Sequence, residues 1–197
     1  MTASPARIAL RSLTLLKTVP SIPPEPAPRT APVLNEAYMS STLPRMSQVI
    51  VPKAFTQLPD EADKRTVIAT LVNSLVRARK INPENADETI EGALAREAIG
   101  STGIGHGIAI PHCRTPLVKT ICCAFGTSTT GIDFDSLDGE PVFSVFLLLT
   151  PPEHKEQHLQ LMKSFASQIR KEHFCEFLHQ VSATQALVDL LTEFESR

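Results

Sequence analysis

A chain of 197 residues, 42% of them hydrophobic, is long enough to bury one good core and leave residues over for a tail. Its formal charge of −2 divides unevenly, residues 1–45 holding a net +3 and the remainder a net −5, and with one tyrosine, no tryptophan and no basic stripe interleaved with aromatics it argues against nucleic-acid binding. No run approaches the ~20 uninterrupted apolar residues that direct membrane insertion requires, and cysteines 113, 122, 123 and 175 show no CxxC spacing, so they read as reduced packing thiols of a cytoplasmic protein.

Residues 1–45 contain half of the 16 prolines, concentrated between Pro20 and Pro32. A stretch such as PSIPPEPAPRTAP forms neither helix nor central strand and favours an extended, solvated backbone. Arg7, Arg11 and Lys17 with no nearby acids faintly resemble a transit or signal segment, but Arg11 splits the apolar run. The expectation is a disordered extension over 1–45, with Met46 a plausible start, and one folded domain over 46–197.

Within that domain, residues 48–53 alternate enough for a first strand with Val49 and Val51 on one face. The spacing of Val67, Ile68, Leu71, Leu75 and Val76 predicts an amphipathic helix over 64–80. A second helix is expected over 83–99, with Asn82 as N-cap, Pro83 at the first helical position and Gly100 just past the end. Arg96 then sits in its last turn, where it either favours the helix C-terminus or offers a guanidinium fork to a phosphate.

The stretch that follows, GSTGIGHGIAIPHCRTP over 100–116, organises the chain. Glycines 100, 103, 105 and 107 make a loop that an anion could approach closely. The run Ile108-Ala109-Ile110 reads as a short buried strand, ended by Pro111, with His112 where the chain leaves the sheet. The glycine spacing lacks the Gly-Lys-Ser/Thr ending of a P-loop and does not fit the dinucleotide fingerprint. Further strands are expected over 120–127 and 142–149, the latter apolar on both faces and hence central, with turn chemistry at Asp138-Gly139 between them. Helices follow over 153–171, with Leu159, Met162, Phe165 and Ile169 as the buried stripe, over 174–180, and after Ser182, which with Gln185 makes a capping-box pattern. The order implies an α/β fold with the sheet sandwiched between helices.

The string GSTGIGHGIAIPH, preceded by Ala95-Arg96-Glu97, closely resembles the active-site segment of the IIA domains of the fructose/mannitol class of the phosphoenolpyruvate:sugar phosphotransferase system, nitrogen-regulatory members included. The resemblance spans residues 46–197 and implies a mixed sheet between helices, the mannitol/fructose-type IIA fold. It also implies that His112 accepts a phosphoryl group, that Arg96 clamps it, and that His158, in EQHLQLM, is the second active-site histidine. Backbone N–H groups of Ser101, Thr102, Gly103, Gly105 and Gly107 are expected to complete the phosphate site. His106 stands where an asparagine is common in the family, and Cys113, beside the carrier histidine, raises the possibility of oxidation sensitivity.

The chemistry is consistent with these residues. Phosphoryl transfer depends on positioning and charge neutralisation more than on covalent help, and an imidazole of ordinary pKa is roughly three-quarters neutral at pH 7, so it needs no general base. No cofactor or ATP site is visible; the resemblance implies the histidine phosphocarrier protein as donor and a separate IIB cysteine or a regulated protein as the next partner, with the nitrogen-regulatory branch the nearer likeness. Two other readings compete: a binding module that is never phosphorylated, and a metal site built from His154 and His158, one helical turn apart, with His112 and Cys113.

Overall fold

The computed structural model describes residues 44–196, so the expected tail over 1–45 lies outside the described residues but for its last two. The described chain opens with one helical turn, α1 (Met46–Val49), and runs into strand β1 (Ile50–Gln57). The strand therefore starts later than expected, and Val49 and Val51 do not share a face. Val49 packs with Phe125 and Phe146, Val51 with Leu147 and Leu149. Met46 and Val49, three apart, both bury from the helical turn, and so short an apolar run fits either period.

Helix α2 (Lys64–Arg77) begins where the Asp63 carboxylate accepts from the Thr66 N–H at 2.7 Å. A 3₁₀ turn over Pro83–Asn85 leads into α3 (Ala86–Glu97), and Asn82 stands at the start without a side-chain cap bond. Past Glu97 the N–H groups of Ile99 and Gly100 bond back to the carbonyls of Arg96 and Glu97. These tight closing turns end the α-helix two residues before the expected Ile99.

The sheet comprises β1, β2 (Gly103–Gly105), β3 (Ile108–Ala109), β4 (His112–Arg114), β5 (Cys122–Ile132) and β6 (Val142–Thr150). Its order is β1-β5-β6-β3-β2, with β4 also on β6. Pairing is mixed: β1 runs parallel to β5, β3 and β4 parallel to β6, and β5 antiparallel to β6. The central strand is the apolar run expected to be central. The chain does not leave the sheet at His112, however. Ile108 pairs with Ser144, Ala109 with Val145, His112 with Leu148 and Arg114 with Thr150, one constant offset, so β3 and β4 are a single course interrupted at Pro111. Pro111 forfeits its own N–H, but its carbonyl still accepts from the Leu148 N–H at 2.9 Å.

Helices cover both faces. Val67, Ile68, Leu71 and Leu75 of α2 and Ile90 and Ala93 of α3 pack with Val145, Leu147 and Leu149. The other face carries α1, α4 (Lys155–Ile169), α5 (Phe174–His179) and α6 (Thr184–Ser196), which bury Phe165, Phe174 and Phe194 with Phe125, Phe146 and Leu148. The buried stripe of α4 is Leu161, Phe165, Gln168 and Ile169, whereas Leu159 stays 54% exposed and Met162 is only partly buried. α6 starts at Thr184, so Ser182 is not its N-cap and the expected box with Gln185 does not form; the Gln185 amide donates forward to Asp189 at 2.8 Å. Among the described residues no helix is long and apolar enough to cross a membrane.

Candidate active site

β4 is an edge: its ladder partner is β6, and nothing pairs its other side among the described residues. Side chains alternate along a strand, so Cys113 enters the core under α3 while His112 and Arg114 turn to the face that carries α4. α3 crosses above β4 with Gly92 over Cys113, where an added methyl would make an ordinary contact with Cys113 Sγ at 3.9 Å. Arg96, in the last turn of α3, thereby reaches around the open edge to His112.

His112 is held at both ring nitrogens. Nδ1 lies 2.7 Å from the carbonyl oxygen of Ile110, an acceptor only, so Nδ1 carries the proton. Nε2 then holds a lone pair, and the Arg96 Nε–H donates to it at 3.2 Å. Another nitrogen of the same guanidinium donates to the Gly100 carbonyl at 3.0 Å, which fixes the fork against the end of its own helix. Burial lowers the pKa of His112, helped by the Arg96 charge and opposed by the Ile110 bond and Glu97. The ring is neutral at pH 7, with one aimed lone pair.

His158, in the first turns of α4, faces His112 with ring centroids 5.3 Å apart. Its Nδ1 meets the hydroxyl of the fully buried Thr150 at 3.0 Å. Burial pushes its pKa down to about 4, and the charges of His112, Arg114 and Arg96 act in the same sense. The structure thus brings Arg96, His112 and His158 together.

The glycine-rich loop is placed differently. The Thr102 N–H and hydroxyl both donate to Glu97, at 2.9 and 2.5 Å, and the Gly103 N–H donates to Ser101 Oγ at 3.0 Å. The Ser101 hydroxyl donates to the Phe134 carbonyl. Gly105 and Gly107, with φ of +89° and +71°, form the turn of the hairpin between β2 and β3, where the His106 N–H donates to Asp138. Gly107 lies against His179 and Phe143, on the flank of α5. Around His112 and His158 opens a cleft of about 770 Å³ lined by Arg96, Arg114, Lys155, Glu156, Ile99 and Leu159, among others; Ser101, Thr102, Gly103, Gly105 and Gly107 do not line it.

Sequence reasoning missed the residues that support the trio. Glu97, 6% exposed, accepts from Lys64 Nζ at 2.9 Å and from Thr102, tying α2, α3 and the loop together next to Arg96. A single glutamate beside an arginine gives no periodic signal, and neither does Thr150 at the end of an apolar strand. Cys113 is buried, and burial raises its thiol pKa to about 11, so it is a poor nucleophile and the suggested oxidation sensitivity loses its basis. His154 turns to Gln157 and His158 to Thr150, and among the described residues no cluster of three or more His, Cys, Asp or Glu could hold a metal.

Comparison with known proteins gives a consistent picture. The family model described as "Phosphoenolpyruvate-dependent sugar phosphotransferase system, EIIA 2" matches residues 50–194. A nitrogen regulatory protein of Pseudomonas aeruginosa is 33% identical over 77% of this chain and 97% of the relative. A fructose-specific EIIA component of Haloferax volcanii is 33% identical over 67% of this chain and 84% of its own length. Among solved structures, the nitrogen regulatory protein IIA-Ntr of Neisseria meningitidis superposes with a TM-score of 0.66 at 28% identity, covering 74% of this chain and 97% of that one.

Proposed function

Since the chain belongs to the EIIA 2 family of the phosphoenolpyruvate-dependent sugar phosphotransferase system, we propose that it is a phosphohistidine carrier whose acceptor atom is His112 Nε2. The observation that carries this reading is the pair of bonds on the ring: Nδ1–H held by the Ile110 carbonyl, and Nε2 left with its lone pair facing Arg96 in an open cleft.

The transfer balances without a base. The Nε2 lone pair forms the new N–P bond as the P–N bond of the donor's phosphohistidine breaks, and the donor's nitrogen takes back the bonding pair. Nδ1–H stays on the Ile110 carbonyl, so the acceptor ring becomes cationic while the donor's protonated ring becomes neutral. A phosphoryl group on a cationic ring leaves behind a neutral imidazole, a good leaving group, which suits onward transfer. Arg96 loses its acceptor at Nε2 when the bond forms and turns its N–H to the phosphoryl oxygens. In the tautomer whose Nδ1 accepts from the Thr150 hydroxyl, His158 donates to the phosphoryl group from Nε2. Two negative charges entering beside it oppose the burial and neighbouring cations that keep it neutral, and favour its protonation.

The donor in this reading is the histidine phosphocarrier protein. The next partner is either the cysteine of a separate IIB domain or a protein whose binding changes with phosphorylation, and the match along 97% of a nitrogen regulatory protein supports the regulatory branch. Ile99, 84% exposed, and Leu159, 54% exposed, flank the cleft as an apolar rim for a docked partner. The four free cysteines suit the reducing cytosol, where we place the exchange. Incubation with phosphoenolpyruvate, enzyme I and the phosphocarrier, read by intact mass, is expected to add one acid-labile phosphoryl group that His112→Ala abolishes. No added mass with demonstrably active donors rejects the reading.

A further inference from the structure

The phosphoryl group brings three terminal oxygens into the cleft, and of the loop residues expected to offer N–H donors none lines it, the Thr102 N–H donating to Glu97 and the Gly103 N–H to Ser101. Arg96 and His158 supply two sets of donors. Four charged side chains line the cleft, Arg96, Arg114, Lys155 and Glu156. Of the cations, Arg114 lies two residues beyond His112 on β4, and strand alternation puts both side chains on the same face. Its register partner is Thr150, the residue that holds His158. Arg114 is exposed and makes no ion pair or side-chain hydrogen bond among the described residues. Its charge is felt at the His158 ring. A guanidinium is thus held by a strand beside both histidines with all its donors uncommitted.

We propose that Arg114 is a phosphoryl-binding residue of this site, its guanidinium taking the third side of the group on His112 opposite the Arg96 fork. This inference rests on the carrier reading above. Arg114 is preferred to Lys155 because a rigid fork on a strand can meet two oxygens of one phosphoryl group, whereas an ammonium on a long stem beside Glu156 is a point charge with a carboxylate at hand. The site then closes around the dianion from three elements: α3 with Arg96, α4 with His158 and β4 with Arg114.

The test uses the full chain and two donors, the phosphocarrier protein and the small molecule phosphoramidate, which requires no protein docking. Arg114→Ala is expected to slow phosphorylation of His112 by both donors about 10-fold or more, the range for losing a hydrogen bond to a charged group, with Arg114→Lys in between. It is also expected to raise the second ionisation of the phosphoryl group in a ³¹P titration, because a cation that stabilised the dianion is gone. Unchanged thermal unfolding of these surface variants keeps folding out of the comparison. A wild-type protein phosphorylated on His112 with Arg114→Ala unchanged in rate and titration overturns this inference and leaves the carrier reading standing. Slowing with the phosphocarrier but not with phosphoramidate also overturns it, since Arg114 would then serve docking. A wild-type protein that takes no phosphoryl group removes both.

Discussion

The two ring nitrogens of His112 are assigned by what their neighbours can do. The carbonyl of Ile110 can only accept, so the proton of His112 is on Nδ1 and the reactive pair on Nε2. Arg96 touches that pair directly at 3.2 Å, so Arg96→Ala is expected to slow phosphoryl acceptance by about 100-fold, the cost of removing a preorganised donor from a charged transition state. Arg96→Lys, which keeps the charge but not the fork, should fall between; rapid-quench measurement of the acceptance rate checks both. His158 supplies a second consequence. Its pKa is about 4 in the folded chain against an ordinary 6.5, so between these values the unfolded chain binds the extra proton. Stability therefore rises with pH through that window: it is lost as pH falls from about 6.5 toward 4 and does not change on this account above 7. His112, lowered in the same direction, adds to the effect. Thermal unfolding of the wild type should show a declining Tm across that interval, and His158→Gln should flatten the decline.

At the scale of elements, the β2–β3 hairpin is a structural brace whose turn does not line the cleft. Its turn needs Gly107 in the left-handed region at φ +71°, and a Cβ there would come within 2.9 Å of His179 and 3.2 Å of Phe143. Gly107→Ala is expected to lower stability in urea by about 1–3 kcal/mol through combined strain and overlap. Gly139→Ala, with φ +74° but nothing within 4 Å, should cost only the conformational part, about 1 kcal/mol. A larger loss at Gly139 than at Gly107 would contradict the brace. What could be read from residue order at this scale, and what could not, follows from range. The central strand, the helix carrying Arg96 and the sandwich were legible because each is a run with its own period and punctuation. The strand start at Gln48 and the stripe through Leu159 were misplaced because neighbouring apolar residues fit more than one phase of a short run. The commitments of the Thr102 and Gly103 N–H groups were illegible for a different reason. Whether Thr102 and Gly103 have free donors depends on Glu97 and Ser101 side chains, and no local pattern reports where those turn. The trio itself was legible only through the likeness of the whole string, since each residue alone had an ordinary structural use.

For the molecule as a whole, the sheet separates two helical layers, and the site lies where the open edge of β4 lets one layer reach the other. Arg96 comes from the layer of α2 and α3, His158 from the layer of α4, and the strand between them carries His112. Such a site stands in an open cleft with an apolar rim, which suits the proposed carrier role and its docking of protein partners. Ile99→Asp, on the exposed rim, should raise the KM for the phosphocarrier about 10-fold while leaving phosphorylation by phosphoramidate unchanged; steady-state transfer assays with the two donors check it. The most direct measurement is nitrogen-detected NMR of the protein labelled with ¹⁵N-histidine, before and after phosphorylation. The geometry requires an Nδ1–H tautomer for His112 in the free protein and phosphorus coupling to its Nε2 in the phosphorylated one. Phosphorus on Nδ1, or on any residue other than His112, would contradict it.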